Sequence, residues 1–196
     1  MFMQYPGSMR LQPRGREGIV ELADMIKERL IDWACKLGRM PSRMLFYRDG
    51  VSESQYKQVR ENEITQVQEA FHQARDHLQT LKHPSGARIG KLMSSDSPQP
   101  FQLTFIVVGK RHKTRFYPKA QDQTFRVGQN LNGNVKPGLV VDQVITHSHS
   151  CDFYLQSHQA VKGTARAAHY FTLKNDMKLS TEALQDIVST SSALSI

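Results

Sequence analysis

The sequence predicts an α/β domain, a mixed sheet with helices packed on it, from three observations. Residues 16–37 and 52–81 each repeat apolar positions at the 3.6-residue period of an amphipathic helix. "LTFIVV", residues 103–108, is an unbroken β-branched and aromatic run without alternation, the composition of a strand buried on both faces. The order helix, strand, helix, strand, followed by several shorter strand candidates, is that of an α/β sheet.

Element by element, the first helix shows Ile19, Leu22, Ile26, Leu30, Trp33 and Leu37 on one stripe, and Gly38 and Pro41 end it. "MLFY", residues 44–47, reads as a short strand that stops on Arg48-Asp49-Gly50. Ser52 reads as an N-cap, with Gln55 three residues on completing a capping box. The second helix carries Val59, Glu63, Val67, Phe71, Ala74, Leu78 and Leu81 at the same period. His83-Pro84-Ser85-Gly86 stops it and opens a Ser-, Pro- and Gly-rich stretch, predicted as a flexible loop insertion over 83–102. Beyond "LTFIVV", strands are predicted over 139–145, 153–155 and 169–173, and Ser180 or Thr181 caps a last helix, "TEALQDIVSTSSAL". No internal repeat is present.

Composition excludes several classes. With 196 residues, 39% hydrophobic and 22% charged, the chain can bury a core of its own and is not a disordered polyelectrolyte. No apolar run reaches the roughly 20 residues that span a bilayer, and the start "MFMQYPGSMRLQPRGRE" has no apolar signal-peptide core. Cys35 and Cys151 make no disulfide framework and suit a reducing compartment. The expectation is a soluble protein of the cell interior, cytoplasmic or nuclear, with no membrane partner.

A net charge of +8 favours a polyanionic partner, and the distribution of that charge is more informative than its sum. Residues 101–120 hold Lys110, Arg111, Lys113, Arg115 and Lys119 and no acid, directly after the buried strand. Arginine forks and lysine point charges at one strand end suit phosphates, and His112, Phe116 and Tyr117 are interleaved where aromatic rings could stack on bases. The bland alternative is a solvated loop of unpaired charges. A second polar group follows in "SHQAVKGTARAAHY": His158, Lys162, Thr164, Arg166, His169 and Tyr170, with Gly163 allowing close backbone approach.

Asp49 ends a strand beside Gly50, which fits a metal ligand and equally fits a plain Asp-Gly turn. His147, His149 and Cys151 in "THSHSC" invite a zinc reading, but no second ligand pair has matching spacing.

The motifs "FYRDGVSESQ" (46–55), "TFIVVGKRHKTRFYP" (104–118) and "ITHSHSCDFYLQSHQAVKGTARAAHY" (145–170), in this order, resemble the PIWI region of Argonaute proteins, and the resemblance runs from about Met9 to Ile196. "QYPGSMRLQ" is more similar to fungal members than to animal ones. The resemblance implies an RNase H-like fold, with small guide RNA and complementary target RNA as partners, silencing-complex proteins besides, and RNA interference as the process. In slicing members it implies Mg²⁺-dependent endoribonuclease activity, because two hard cations held by carboxylates clamp both oxygens of an in-line phosphoryl displacement. Asp49 matches the strand-end catalytic aspartate and metal ligand of that family, and Glu17 its glutamate finger. Lys110, Arg111, Lys113 and Arg115 match guide-contacting positions, as do His158 and Arg166.

Departures are visible too. The family has Arg-Pro where this chain reads Arg166-Ala167, so the loop is expected to be less rigid. The family's first and last catalytic residues lie outside residues 1–196, as do its MID and PAZ domains. The chain is therefore expected to be a partial PIWI domain that binds RNA without efficient cleavage on its own. Two alternatives are a self-sufficient RNase H-like nuclease completed by Asp142 or Asp152, and a protein-interaction module docking through Trp33 and the first two helices.

Overall fold

A computed structural model describes residues 6–81, 100–127, 130–160 and 163–193. Most of the predicted 83–102 insertion, and Lys162, lie outside the described residues. The chain divides into two compact units, Met1–Met44 with Glu53–Gln102, and Leu45–Ser52 with Leu103–Ile196.

The first unit is built on α1 (Leu22–Leu37) and α2 (Tyr56–Thr80). Their apolar stripes meet, with Ala34 and Leu78 fully buried and Ile31, Met40 and Leu81 around them. Gly38 ends α1 in the left-handed conformation at φ +69°, which lets its N–H reach back to the Ala34 carbonyl at 2.8 Å. The start of α1 departs from the sequence reading. Helix begins at Leu22 rather than near residue 16, because the orphan N–H groups of its first turn are satisfied by side chains of α2. Gln66 Oε1 accepts from Leu22 N–H at 3.1 Å and Ala23 N–H at 3.4 Å, and Gln66 Nε2 donates to the Ile19 carbonyl at 3.3 Å. Glu63, only 2% exposed, accepts from Ile19 N–H at 3.2 Å. This explains a carboxylate on the apolar stripe of α2. A single 3-10 turn, Glu53–Gln55, leads into α2 directly after Ser52.

The second unit is a sheet with a helix on it. Its strands are β1 (Arg43–Asp49), β2 (Gln102–Gly109), β5 (Leu139–Val141), β6 (Asp152–Gln156) and β7 (Ala168–Asn175), in the order β1-β2-β7-β6-β5. β3 (Thr124–Val127) and β4 (Asn130–Val135) form a separate antiparallel pair. Neither was predicted: β3, Thr-Phe-Arg-Val, is too short to show alternation, and Asn and Gly interrupt β4, Asn-Leu-Asn-Gly-Asn-Val. β2 is buried along Leu103–Val107, as its composition requires. α3 (Thr181–Ala193) closes the core through Leu184 and Val188, against Ile106, Phe153, Leu155, Ala168 and Tyr170. Ser180 caps it, its Oγ accepting from Ala183 N–H at 3.2 Å. β5 stops at Val141, short of the predicted 145, because the chain turns: Val144 is fully exposed at φ +71°, and Ile145 N–H reaches the Gln143 carbonyl at 2.8 Å.

The pairing directions decide where functional residues emerge. β2 runs antiparallel to β7, with Gly109 opposite His169, and β7 antiparallel to β6, with Ala168 opposite Leu155. The C-terminal ends of β2 and β6 and the N-terminal start of β7 therefore share one end of the sheet.

Candidate nucleic-acid interface

That shared end gathers three segments, one after β2 and two from the β6–β7 connection later in the chain. The basic stretch leaves β2, His158 follows β6, and Arg166 precedes β7. Along the first, Lys110, Arg111 and Lys113 are exposed, while His112, Thr114, Arg115 and Phe116 are half-buried. The alternation lets the inward side chains fix the loop while the outward cations face solvent. Arg115 braces its own segment, Nη1 donating to the Thr114 carbonyl at 2.7 Å and the His112 carbonyl at 3.1 Å. Phe116 and His112 pack edge-on against Tyr154 with centroids 5.5 Å and 5.3 Å away, so of the three interleaved rings only Tyr117, 67% exposed, faces outward. His158 and Arg166 are exposed.

His112 joins the first segment to the third. Its Nε2 donates to the Ala167 carbonyl at 2.9 Å, and its Nδ1 is buried with no hydrogen-bond partner among the described residues. Burial holds its pKa below the ordinary 6.5, with the charges of His169, Arg115 and Arg166 adding to the depression and the Ala167 bond opposing it. As pH falls, the unfolded chain takes up this proton first. Stability linked to neutral His112 is thus complete above pH 6.5 and is lost as pH falls below that value toward the folded one. Wild type should lose stability relative to His112→Gln on acidification from about pH 7 to about pH 5, as measured by thermal unfolding; a pH-independent difference would contradict this protonation picture.

Two sequence expectations change here. His169, read as one of the second polar group, is only 6% exposed. Its Nε2 meets Asp152 Oδ2 at 2.8 Å, and its ring stacks on Tyr154 with centroids 4.3 Å apart. Tyr170 is also buried, stacked on Phe153 in the core. Asp152 is the hub of this network: it also accepts from His147 N–H at 2.9 Å and meets His147 Nδ1 at 3.2 Å. A side chain with no exposed surface and both oxygens engaged is a structural acceptor rather than the open ligand of a nuclease. Asp142 Oδ2 accepts from Gln185 Nε2 at 2.9 Å. The "THSHSC" residues diverge, His147 to Asp152 and Cys151 to Thr181 Oγ1 at 3.3 Å.

Asp49 is exposed at the C-terminal end of β1. Gly50 follows at φ +82° with open space where a Cβ would sit, so glycine is needed there for the turn and not for room. The strand-end position and the turn are both present. Glu17 is exposed in the irregular segment before α1, not in a first helical turn, and Gln55 Nε2 donates to its carboxylate. Glu17 belongs to the helical unit and Asp49 to the sheet unit. Among the described residues, no three His, Cys, Asp or Glu side chains form a group able to hold a metal ion. The donor set among the described residues does not fit a complete two-metal site. Likewise, no described helix is long and apolar enough to cross a membrane.

The family model of the Piwi domain matches residues 2–193. Protein argonaute 7 of Arabidopsis thaliana is 36% identical over 185 residues, and protein argonaute 18 of Oryza sativa subsp. japonica 34% over 184. Each match takes in 94% of this chain but only 16% and 15% of the respective relative, so the chain spans about a sixth of their length. Among solved structures, Kluyveromyces polysporus Argonaute with a guide RNA superposes with a TM-score of 0.69 at 29% identity, over 88% of this chain and 19% of that one. The C-terminal lobe of a budding yeast Argonaute gives 0.67 at 29%, over 88% and 32%. The expected RNase H-like α/β class, with its mixed sheet, is the fold of these structures.

Proposed function

Because this chain belongs to the Piwi domain family, we propose that it binds the phosphate backbone of a small guide RNA, and of the target paired to it, as part of an Argonaute protein in RNA-mediated silencing. The observation that carries this is the convergence of Lys110, Arg111, Lys113 and Arg115 with His158 and Arg166 at one sheet end. Phosphates are recognised there by charge-assisted hydrogen bonds, which act on any base sequence. A similar protein, from Kluyveromyces polysporus, was solved with a guide RNA. The test is equilibrium binding of single-stranded RNA over a salt series. Four to six cation–phosphate contacts predict a slope of about −3 to −4 in log K against log salt; a flat dependence would reject the reading.

Mg²⁺-dependent endoribonuclease activity belongs, in this reading, to a longer protein that contains this domain. Asp49 is the residue here that would ligate the ion, and Glu17 the second catalytic carboxylate. Asp49→Ala should change folding stability by less than about 0.5 kcal/mol, since the side chain is exposed. In single-turnover assays of a full-length slicing protein it should abolish target cleavage and leave guide binding intact. Retained cleavage, with a modest stability loss, would mean Asp49 only makes the turn.

A second reading has support of its own: Trp33 and Leu37 are 48% and 44% exposed on α1, a surface on which a silencing-complex protein could dock. Such docking would be insensitive to the basic segment. The work would be cytoplasmic or nuclear. A fungal source rests on "QYPGSMRLQ" alone, and the plant relatives lend it no support.

A further inference from the structure

Arg166 stands in a segment whose backbone is held on both sides of it by residues distant in sequence. Before it, Ala165 N–H donates to Asn134 Oδ1 at 2.7 Å, and Asn134 Nδ2 donates to the Gly163 carbonyl at 2.8 Å. After it, the Ala167 carbonyl accepts from His112 Nε2 at 2.9 Å. Ala165 and Ala167 are each 4% exposed, so the exposed Arg166 is turned outward between two buried neighbours. Both holding residues are themselves fixed. Asn134 is 5% exposed, and His112 lies edge-on to Tyr154 with centroids 5.3 Å apart, on the Tyr154–His169 stack that Asp152 anchors.

Besides these bonds, the burial of Ala165 and Ala167 and the pairing of Ala168 with Leu155 hold this stretch among the described residues. Its small alanine side chains restrict the backbone little, and no proline follows Arg166. An arginine on a mobile backbone must be ordered on binding, which weakens each contact; one on a fixed backbone is already placed. We propose that Asn134 and His112 are positioning residues that clamp the backbone on either side of Arg166 and present its guanidinium, together with the cations of residues 110–115, to one stretch of RNA phosphates. The clamp rests on the RNA-binding reading above and deepens it. It takes the place of the backbone restriction that proline would give.

The test measures affinity of the full chain for a single-stranded oligouridine at fixed salt, with thermal unfolding of every variant alongside. Arg166→Ala should weaken binding roughly threefold, as for one exposed cation–phosphate contact. Asn134→Ala and His112→Leu should each reproduce most of that loss. Added to Arg166→Ala, either change should cost less than about twofold more, because each acts through Arg166. His112→Gln keeps an N–H donor of similar reach and should restore near wild-type affinity. Fully additive losses, or no rescue by glutamine, overturn the clamp. If His112→Leu does not fold, the Asn134→Ala cycle and His112→Gln decide the question. Should Arg166→Ala weaken binding while Asn134→Ala and His112→Leu do not, the clamp alone fails. If Arg166→Ala and the alanine variant of Lys110, Arg111, Lys113 and Arg115 both bind as wild type, the RNA-binding reading fails and the clamp with it.

Discussion

Asp152→Ala should destabilise the sheet unit by about 3 kcal/mol or more, although Asp152 touches none of the proposed RNA-binding cations. Its carboxylate has no exposed side-chain surface and meets His169 Nε2, His147 Nδ1 and the His147 N–H. Alanine leaves these polar groups without their acceptor. His169, 7% exposed on its side chain, has little water to turn to. Breaking one side of a buried polar pair costs more than the pair contributes net, because the remaining partner keeps its full desolvation penalty. For a chain of this size that loss amounts to roughly 6–12 °C in melting temperature. Asp152→Asn, which retains one oxygen acceptor, should fall between wild type and alanine. A melting temperature within about 2 °C of wild type for Asp152→Ala would show that the network contributes little, and would reopen Asp152 as a functional carboxylate.

The combined replacement of Lys110, Arg111, Lys113 and Arg115 by alanine should act in the opposite way, on binding and hardly on folding. Lys110, Arg111 and Lys113 are exposed, and Arg115 bonds only to carbonyls of its own segment among the bonds described. Four cation–phosphate contacts at about 0.7 kcal/mol each correspond to a loss of affinity on the order of a hundredfold. Fewer released counterions should also flatten the salt slope by about 3. The loss should be the same for unrelated RNA sequences, since phosphates carry no sequence information. A folded variant with unchanged affinity and slope would mean that these cations form a solvated face and nothing more.

Those two residue groups also show where sequence reading succeeds and where it stops. The stripe of α2, that of α1 as far as Leu30, and the run "LTFIVV" were legible, because periodicity and composition report burial. Trp33 and Leu37, read onto the α1 stripe, are exposed, and Ala34 is buried in their place. The start of α1 was not legible: Gln66 and Glu63, more than 40 residues away, supply its first acceptors, and a local pattern contains no sign of that. β5 was drawn too long since Val144, a β-branched residue, adopts a left-handed conformation that its type disfavours. At the site, the cations were legible as charges in an acid-free run. Their convergence with His158 and Arg166 follows from the order β2-β7-β6 and its antiparallel directions, which no single segment specifies. Asp152 looked like a spare carboxylate because its partners are histidines on neighbouring turns and strands. Asn134 left no signal at all, being one of several asparagines in a polar stretch with no strand pattern.

The measurement that bears most directly on the convergent phosphate surface is photo-crosslinking of the full chain to a single-stranded RNA carrying 4-thiouridine, with the attachment sites mapped to residues by mass spectrometry. Cross-links are expected in three places at once, within 110–117, at or beside His158, and within 163–167, all suppressed by high salt. Cross-links confined to the helical unit, or to only one of the three segments, would contradict a single RNA-binding surface at that end of the sheet.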